Sequence, residues 1–520
     1  MARSILRKFP IGVQSFKKIR DNHFLYVDKT ALVYELANSG SSYFLSRPRR
    51  FGKSLLISTI EAYFKGQKEL FEGLAIEQLE KDWITYPVLH IDLNAEKFDA
   101  PEQLDALLSN QLTQWEEIYG KGEDETTLSL RFKGVIRRAA EQTGRPAVVL
   151  VDEYDKPLLQ SLHKEALHSA YKDTLKAFYG VLKSADQYLR FYLLTGVTKF
   201  SQVSVFSDLN QLNDISMDKR YNEICGLTWQ EIADNFEPEL KELGEDNDLT
   251  PEETRETMTR LYDGYHFMFG QEGIFNPFSV LNVLDRSQFD NYWFKTGTPT
   301  FLVELLQKTD YDLRDIDGVQ MAVDGFADYR ADVQRPIPVI YQSGYLTIKG
   351  FDPRFRLYTL GFPNEEVKYG FLNFIVPFYT AIPSTESSFY IGKFVRELES
   401  GDVDAFMERL RAFFADIPYE LNDKTERHYQ AVFYLVFKLM GQFTEAEVRS
   451  ARGRADAVVK TRDYIYVFEF KLDGTIEEAL HQIDDKGYLI PYQSDGRQLI
   501  KVGANFSAEE RNIENWMNVK

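Results

Sequence analysis

Three short runs in this chain carry residue types suited to phosphate chemistry. "SRPRRFGKS" (46–54) closes on Gly52-Lys53-Ser54 like a phosphate-binding loop, yet puts Arg47 where the usual GxxxxGK[ST] pattern has its first glycine. In such a loop the backbone N–H groups of Arg50, Phe51, Gly52, Lys53, Ser54 and Leu55 cradle phosphate oxygens. Lys53 then reaches the β- and γ-phosphates of ATP, and the Ser54 hydroxyl holds Mg²⁺. "PAVVLVDE" (146–153) sets an apolar strand ahead of Asp152-Glu153. A strand ending this way delivers two carboxylates to the C-terminal edge of a sheet, Asp152 to hold Mg²⁺ through water and Glu153 to polarise an attacking water. Another strand (190–197) ends at Thr195, with Thr198 and Lys199 just beyond, polar groups placed to sense a γ-phosphate.

The third run is "GRADAVVKTRDYIYVFEFK" (453–471), which reads as a hairpin. Period-two alternation puts Glu469 and Lys471 on one face and Phe468 and Phe470 on the other. With Arg462-Asp463 as a two-residue loop, Asp456 falls opposite Glu469. Like charges facing across strands are unfavourable unless a cation joins them, and oxygen ligands suit Mg²⁺ or Mn²⁺. Lys471 is placed to orient or deprotonate a water for attack on a phosphodiester. Glu426, at the head of the apolar helix "ERHYQAVFYLVFKLMG", is a candidate to reach the same metal, and Gln482 and Lys486 share a face of the next helix. Tyr488 reads as packing, and His428 is left out of the site.

These residues need a scaffold. Strands at 43–48, 87–93, 146–153 and 190–197, with a further one at 222–228, alternate with helical stretches, including 55–66 after the GKS loop. Near-continuous apolar strands separated by helices predict a parallel sheet buried on both faces. An acidic stretch (236–260) follows, then a Tyr- and Phe-rich middle with turn signals such as "NPFS" (276–279). From about 400 the pattern becomes helix (403–415), apolar helix (425–440), hairpin, helix (475–487) and a last strand, "QLIKVGANF". The expected division is an ATPase-like domain at 1–235, a mainly helical middle at 236–400 with a winged-helix-like form as one option, and a third domain at 401–520.

Composition narrows the functional classes. A 44% hydrophobic content describes a packed globular chain, and no run is long enough to cross a bilayer. The single Cys225 excludes an intrachain disulfide and a Cys-rich zinc site, so a cytoplasmic location is expected. The net charge of −19 argues against indiscriminate coating of nucleic acid, although residues 1–60 carry eleven Lys and Arg against three acids.

Together "FPIGVQSFKKIRDNHFLYVDKTALVYEL", "YFLSRPRRFGKS", "VDEYDKPL", "YDGYHF", "NPFS", "GRADAVV" and "EFK" resemble the bacterial family that joins an AAA-type ATPase-like domain to a PD-(D/E)XK nuclease-superfamily domain. The resemblance spans nearly the whole chain. It implies α/β folds at both ends, an AAA-type phosphate-loop sheet first and a restriction-endonuclease-like domain last. In that family the phosphate loop also reads RPRRFGKS, which makes Arg47 a family trait. The resemblance further implies nucleotide binding at Lys53 and Ser54, magnesium and hydrolysis at Asp152 and Glu153, and the nuclease Asp…Glu-x-Lys core at Asp456, Glu469 and Lys471, with Glu426 as the helical acid.

The expectation is an ATP-binding and hydrolysing module that controls a metal-dependent nuclease acting on DNA or RNA, in a chain that can form homo-oligomers. Arg220 is one candidate for an arginine offered across subunits. A rival reading is a nucleotide-dependent switch or scaffold whose nuclease-like domain binds nucleic acid without cutting it. A third has the GKS loop holding a different phosphorylated ligand.

Overall fold

The computed structural model describes residues 7–162, 164–198, 211–294, 311–326, 336–380, 386–415, 426–448 and 455–520, with isolated positions at 302, 305, 306, 309 and 383. The chain divides into two compact units, Met1–Thr296 with Gln320–Glu366, and Gly297–Val319 with Val367–Lys520.

The first unit is built on five parallel strands, β1 (Ser42–Ser46), β2 (Val88–Asp92), β3 (Ala147–Asp152), β4 (Leu189–Gly196) and β5 (Asn213–Asp214). Their order is β2-β3-β4-β1-β5, so β4 lies between the strand that feeds the GKS loop and the strand that ends in Asp152. Every residue of β3 is buried, as expected of an apolar strand covered on both faces. Parallel neighbours need crossovers, supplied by helices such as Lys53–Phe64, Leu128–Thr143 and Glu165–Ser184.

Two local expectations are corrected. The further strand expected at 222–228 is instead a turn-rich segment with a single bridge from Leu227 to Phe275, and the fifth strand of the sheet is Asn213–Asp214. Burial of Ile224 and Cys225 explains the apolar run without a strand. The helix expected from 55 starts at Lys53, because Gly52 is its N-cap, with φ 93 and ψ 18. That left-handed conformation is open to glycine at little cost.

After the sheet, the first unit is mainly helical, through Glu237–Asp246, Pro251–Tyr262 and Pro277–Arg286. A small antiparallel sheet also appears, formed by β6 (Gln320–Ala322), β7 (Thr347–Asp352) and β8 (Leu357–Gly361).

The second unit holds a mixed sheet of β9 (Glu445–Val448), β10 (Ala457–Lys460), β11 (Tyr464–Leu472), β12 (Gln498–Ser507) and β13 (Asn512–Val519). Its order is β13-β12-β11-β10-β9, antiparallel except for β11 beside β12, which the helix Ile476–Asp485 connects. Ala457 pairs with Phe468 and Lys460 with Ile465, the register that a two-residue loop at 462–463 dictates. Phe468 packs on Phe406 and Phe437, and Phe433 on Phe470, so the helices Val403–Ala415 and Glu426–Met440 cover one face. The opposite face of β11, with Ile465 and Val467, packs on Ile483 of the helix Ile476–Asp485. Among the described residues no helix is long and apolar enough to cross a membrane.

Candidate functional site

The first site forms where β1, β3 and β4 end side by side. Parallel register sets Leu45 beside Thr195 and Ser46 beside Gly196. The loop after β1 is held from beneath by Arg47, which is 1% exposed. Its guanidinium donates to the carbonyls of Ser46 (3.0 Å), Ser216 (2.8 Å) and Tyr221 (3.1 Å) and lies 3.9 Å over the Phe267 ring. Burial pulls its pKa down to about 10. Arg47 is therefore an internal strut of the loop, where glycine in the usual pattern would provide only flexibility.

Neighbouring residues fix the rest of the loop. Phe51 is buried against Tyr265 and Phe267 of the "YDGYHF" run. Arg50 has a left-handed φ of 68 and lies over Phe278 of "NPFS", while Trp293 Nε1 donates to the Arg49 carbonyl at 3.1 Å. The aromatic middle of the sequence thus serves the phosphate loop, a role that spacing alone did not reveal.

Lys53 is 4% exposed, and its ammonium donates to the carbonyls of Arg47 (3.1 Å) and Pro48 (3.3 Å). It also pairs with Glu153 Oε1 at 3.4 Å. Asp152, buried at the tip of β3, accepts a 2.6 Å hydrogen bond from the Thr195 hydroxyl on β4. Ser54 and Leu55 occupy the first turn of the helix behind Gly52. Lys53 with Glu153 and Thr195 with Asp152 thus form two contacting pairs, joined through the neighbouring residues Asp152 and Glu153 at the end of β3. Lys199 lies outside the described residues. Arg220 pairs with Asp218 of its own chain at 2.6 Å.

Asp155 escaped the sequence reading. It is fully buried and takes hydrogen bonds from the backbone of Val197 and Thr198 and from the Thr198 hydroxyl. Burial, then the charge of Glu153, pushes its pKa up to about 6. The third acid of "VDEYD" was the available signal.

Beside the loop opens a cavity of about 100 Å³, walled mainly by apolar groups including Tyr26, Gly52, Leu55, Ile224, Leu227 and Leu281.

The second site lies on the hairpin of β10 and β11. Glu469 is 3% exposed; its Oε1 accepts from Lys471 Nζ (3.1 Å) and from Gln482 Nε2. Its Oε2 is buried with no hydrogen-bond partner among the described residues. Lys471 Nζ also donates to Gln482 Oε1 at 2.5 Å. Asp456 accepts from the Phe470 N–H at 2.8 Å, and burial raises its pKa. Glu469 is pushed up to about 7 by burial and then by the Asp456 charge.

Two crowded carboxylates that resist ionisation, one with an orphaned oxygen, fit a hard divalent cation completed by backbone oxygens and water. Among the described residues no three His, Cys, Asp or Glu side chains gather as a metal cage. Glu426 begins the helix Glu426–Met440, but its side chain lies outside the described residues. Tyr488, expected to pack, is buried against this cluster and accepts from Gln482 Nε2 at 3.3 Å. Lys486 is exposed at the C-cap of its helix and joins none of these contacts. Gln482 is placed by a capping box in which Thr475 and Glu478 satisfy each other's backbone N–H groups.

A phosphate-loop α/β unit followed by a mixed-sheet unit with an Asp…Glu-x-Lys cluster defines a class. Residues 10–206 match the family model described as "Predicted AAA-ATPase", and residues 424–516 match that of the PD-(D/E)XK nuclease superfamily. A protein of Azotobacter chroococcum mcd 1, described as "Uncharacterized protein in vnfD 5'region", is 36% identical over 523 residues, covering 98% of each chain. The chain belongs to the family that joins an AAA-ATPase-like domain to a PD-(D/E)XK nuclease-superfamily domain.

Proposed function

We propose that this protein binds and hydrolyses ATP and uses that cycle to control metal-dependent cleavage of nucleic acid by its C-terminal domain. The observation that carries the nucleotide half is the meeting of Lys53, Glu153, Asp152 and Thr195 at one sheet edge. In this reading the N–H groups from Arg50 to Leu55 receive the phosphates, and the apolar cavity beside Gly52 takes the base. Ser54 and Asp152 would hold Mg²⁺, which neutralises phosphate charge. Glu153 orients the attacking water, and Thr195 holds Asp152 in place.

In the second half Asp456 and Glu469 would hold Mg²⁺ or Mn²⁺, a Lewis acid for the scissile phosphate. Lys471, fixed between Glu469 and Gln482, orients the water on the phosphodiester. The orphaned Glu469 Oε2 supports a cation there.

The test incubates the full chain with plasmid, single-stranded DNA and tRNA, with and without ATP and Mn²⁺, beside Asp456→Asn and Glu153→Gln. Cleavage that needs Asp456 and responds to ATP is expected. Cleavage surviving in Asp456→Asn removes the metal site, and cleavage indifferent to ATP and to Glu153 removes the control. Binding of nucleic acid without cleavage by the intact protein selects the switch reading.

A further inference from the structure

The chain leaving β3 grips the chain leaving β4. Tyr154 N–H donates to the Thr195 carbonyl (3.0 Å) and its hydroxyl to the Thr198 carbonyl (2.8 Å). The Asp155 carboxylate accepts from the N–H of Val197 (3.1 Å), the N–H of Thr198 (2.6 Å) and the Thr198 hydroxyl (2.6 Å). Asp155 and Thr198 are both fully buried. Between them Gly196 has no room for a side chain, since a Cβ would lie 2.6 Å from Asp155 Oδ1 and from the Tyr154 ring.

Glu153 sits immediately before this clamp with a left-handed φ of 55. A non-glycine residue holds that conformation only when its surroundings over-determine it. Here Asp152 is tied to Thr195 on one side and Tyr154-Asp155 to residues 195–198 on the other. The strained backbone aims Glu153 at Lys53.

We infer that Asp155 is a positioning residue for nucleotide hydrolysis, locking the loop after β4 to the loop after β3 so that Glu153 keeps its orientation. The inference rests on the ATPase reading. An ionised carboxylate can accept from two N–H groups and a hydroxyl together; a carboxamide presents an NH₂ to one of those donors instead. The clamped segment meets the phosphate loop through the Arg47 N–H on the Gly196 carbonyl (3.2 Å). That loop keeps supports of its own, the Arg47 guanidinium on Ser216 and Tyr221 and Trp293 on Arg49, so loosening the clamp costs the chemical step more than nucleotide binding.

The experiment measures ATP affinity, kcat and KM for the full chain, Asp155→Asn and Thr198→Val, with amide hydrogen exchange at residues 196–198. For Asp155→Asn a fall in kcat of about tenfold or more is expected, with ATP affinity and KM within about twofold and faster exchange at Val197 and Thr198. Thr198→Val, which removes only the hydroxyl, should give a smaller fall in kcat at the same KM. Wild-type kcat in both variants, or a loss of ATP affinity in step with kcat and with global melting, overturns the positioning role. If Asp155→Asn does not fold, Thr198→Val decides alone, and an unchanged kcat overturns it. A wild-type protein that binds ATP without hydrolysing it fails the ATPase reading itself, and this inference with it; wild-type turnover that both variants share fails only the clamp.

Discussion

Lys53 Nζ lies 3.4 Å from Glu153 Oε1, although the two residues follow different strands and have β4 between those strands. In the proposed reading the pairing sets a cation for phosphate and a carboxylate for water within one contact. Lys53 has two carbonyls as further partners, so its charge is held in place before any nucleotide arrives.

Glu153→Gln should therefore separate binding from hydrolysis. The amide keeps the size and can still accept from Lys53, but it polarises water poorly. ATP affinity is expected within about threefold of wild type while turnover falls by about a hundredfold or more. Lys53→Ala should instead abolish ATP binding in calorimetry. Equal ATP affinity in Lys53→Ala and wild type would point to another phosphorylated ligand for this loop.

Arg47 leads to a less intuitive expectation. Replacing it with the glycine of the usual motif should weaken the protein, because three carbonyls lose their donor and the Phe267 ring its cover. Buried acceptors left without partners cost on the order of 1–3 kcal/mol each at most. Arg47→Gly should lower stability by roughly 2–4 kcal/mol in denaturant titration, and Arg47→Lys by less. A neutral Arg47→Gly would mean that the loop does not depend on its strut.

The Asp456–Glu469 pair should make the C-terminal domain sensitive to metal and pH in opposite directions. The folded-state pKa of Glu469 is raised from 4.5 to about 7, so the folded form binds the extra proton. Stability from this group is fully present below about pH 4.5 and is lost as pH rises through 7. Without metal, Glu469→Gln should raise the melting temperature at pH 8 and flatten its pH dependence. Mn²⁺ should stabilise wild type at pH 8 and leave the variant unmoved. A Mn²⁺ shift of equal size in both would place the ion elsewhere.

Much of this was legible because it follows from period and spacing. A two-residue loop and strand alternation suffice to put Asp456 near Glu469, since a slip of one residue would turn Phe468 and Phe470 out of their aromatic contacts. Likewise an apolar run ending in Asp-Glu gives the rim of a parallel sheet. The contributions of Arg47 and Trp293 were not legible, and for Asp155 the sequence offered only its place as the third acid of "VDEYD", not its partners. Each acts through partners far along the chain, such as Ser216 and Tyr221 for Arg47 or Arg49 for Trp293, and no local period encodes such pairs. The strand expected at 222–228 failed for a related reason, because its apolar residues line a cavity beside Gly52 instead of a ladder.

Glu366 supports the phosphate loop at one remove, and its titration should be visible. Its carboxyl accepts from the Ser279 hydroxyl (2.7 Å) and the Trp293 N–H (2.6 Å), and Trp293 in turn holds the Arg49 carbonyl. At 1% exposure, burial lifts its pKa from 4.5 to about 7. The proton is held more tightly in the folded state, so stability from this group is complete below about pH 4.5 and declines until pH 7. A shift of this size corresponds to roughly 3 kcal/mol as an upper bound. Glu366→Gln keeps an acceptor for Trp293 and can donate to Ser279, so it should gain up to that amount at pH 8 and nothing at pH 4. Chemical denaturation at the two pH values checks this. A Glu366→Gln protein less stable than wild type at pH 8 would show that the carboxylate, and not its protonated form, holds Ser279 and Trp293 together.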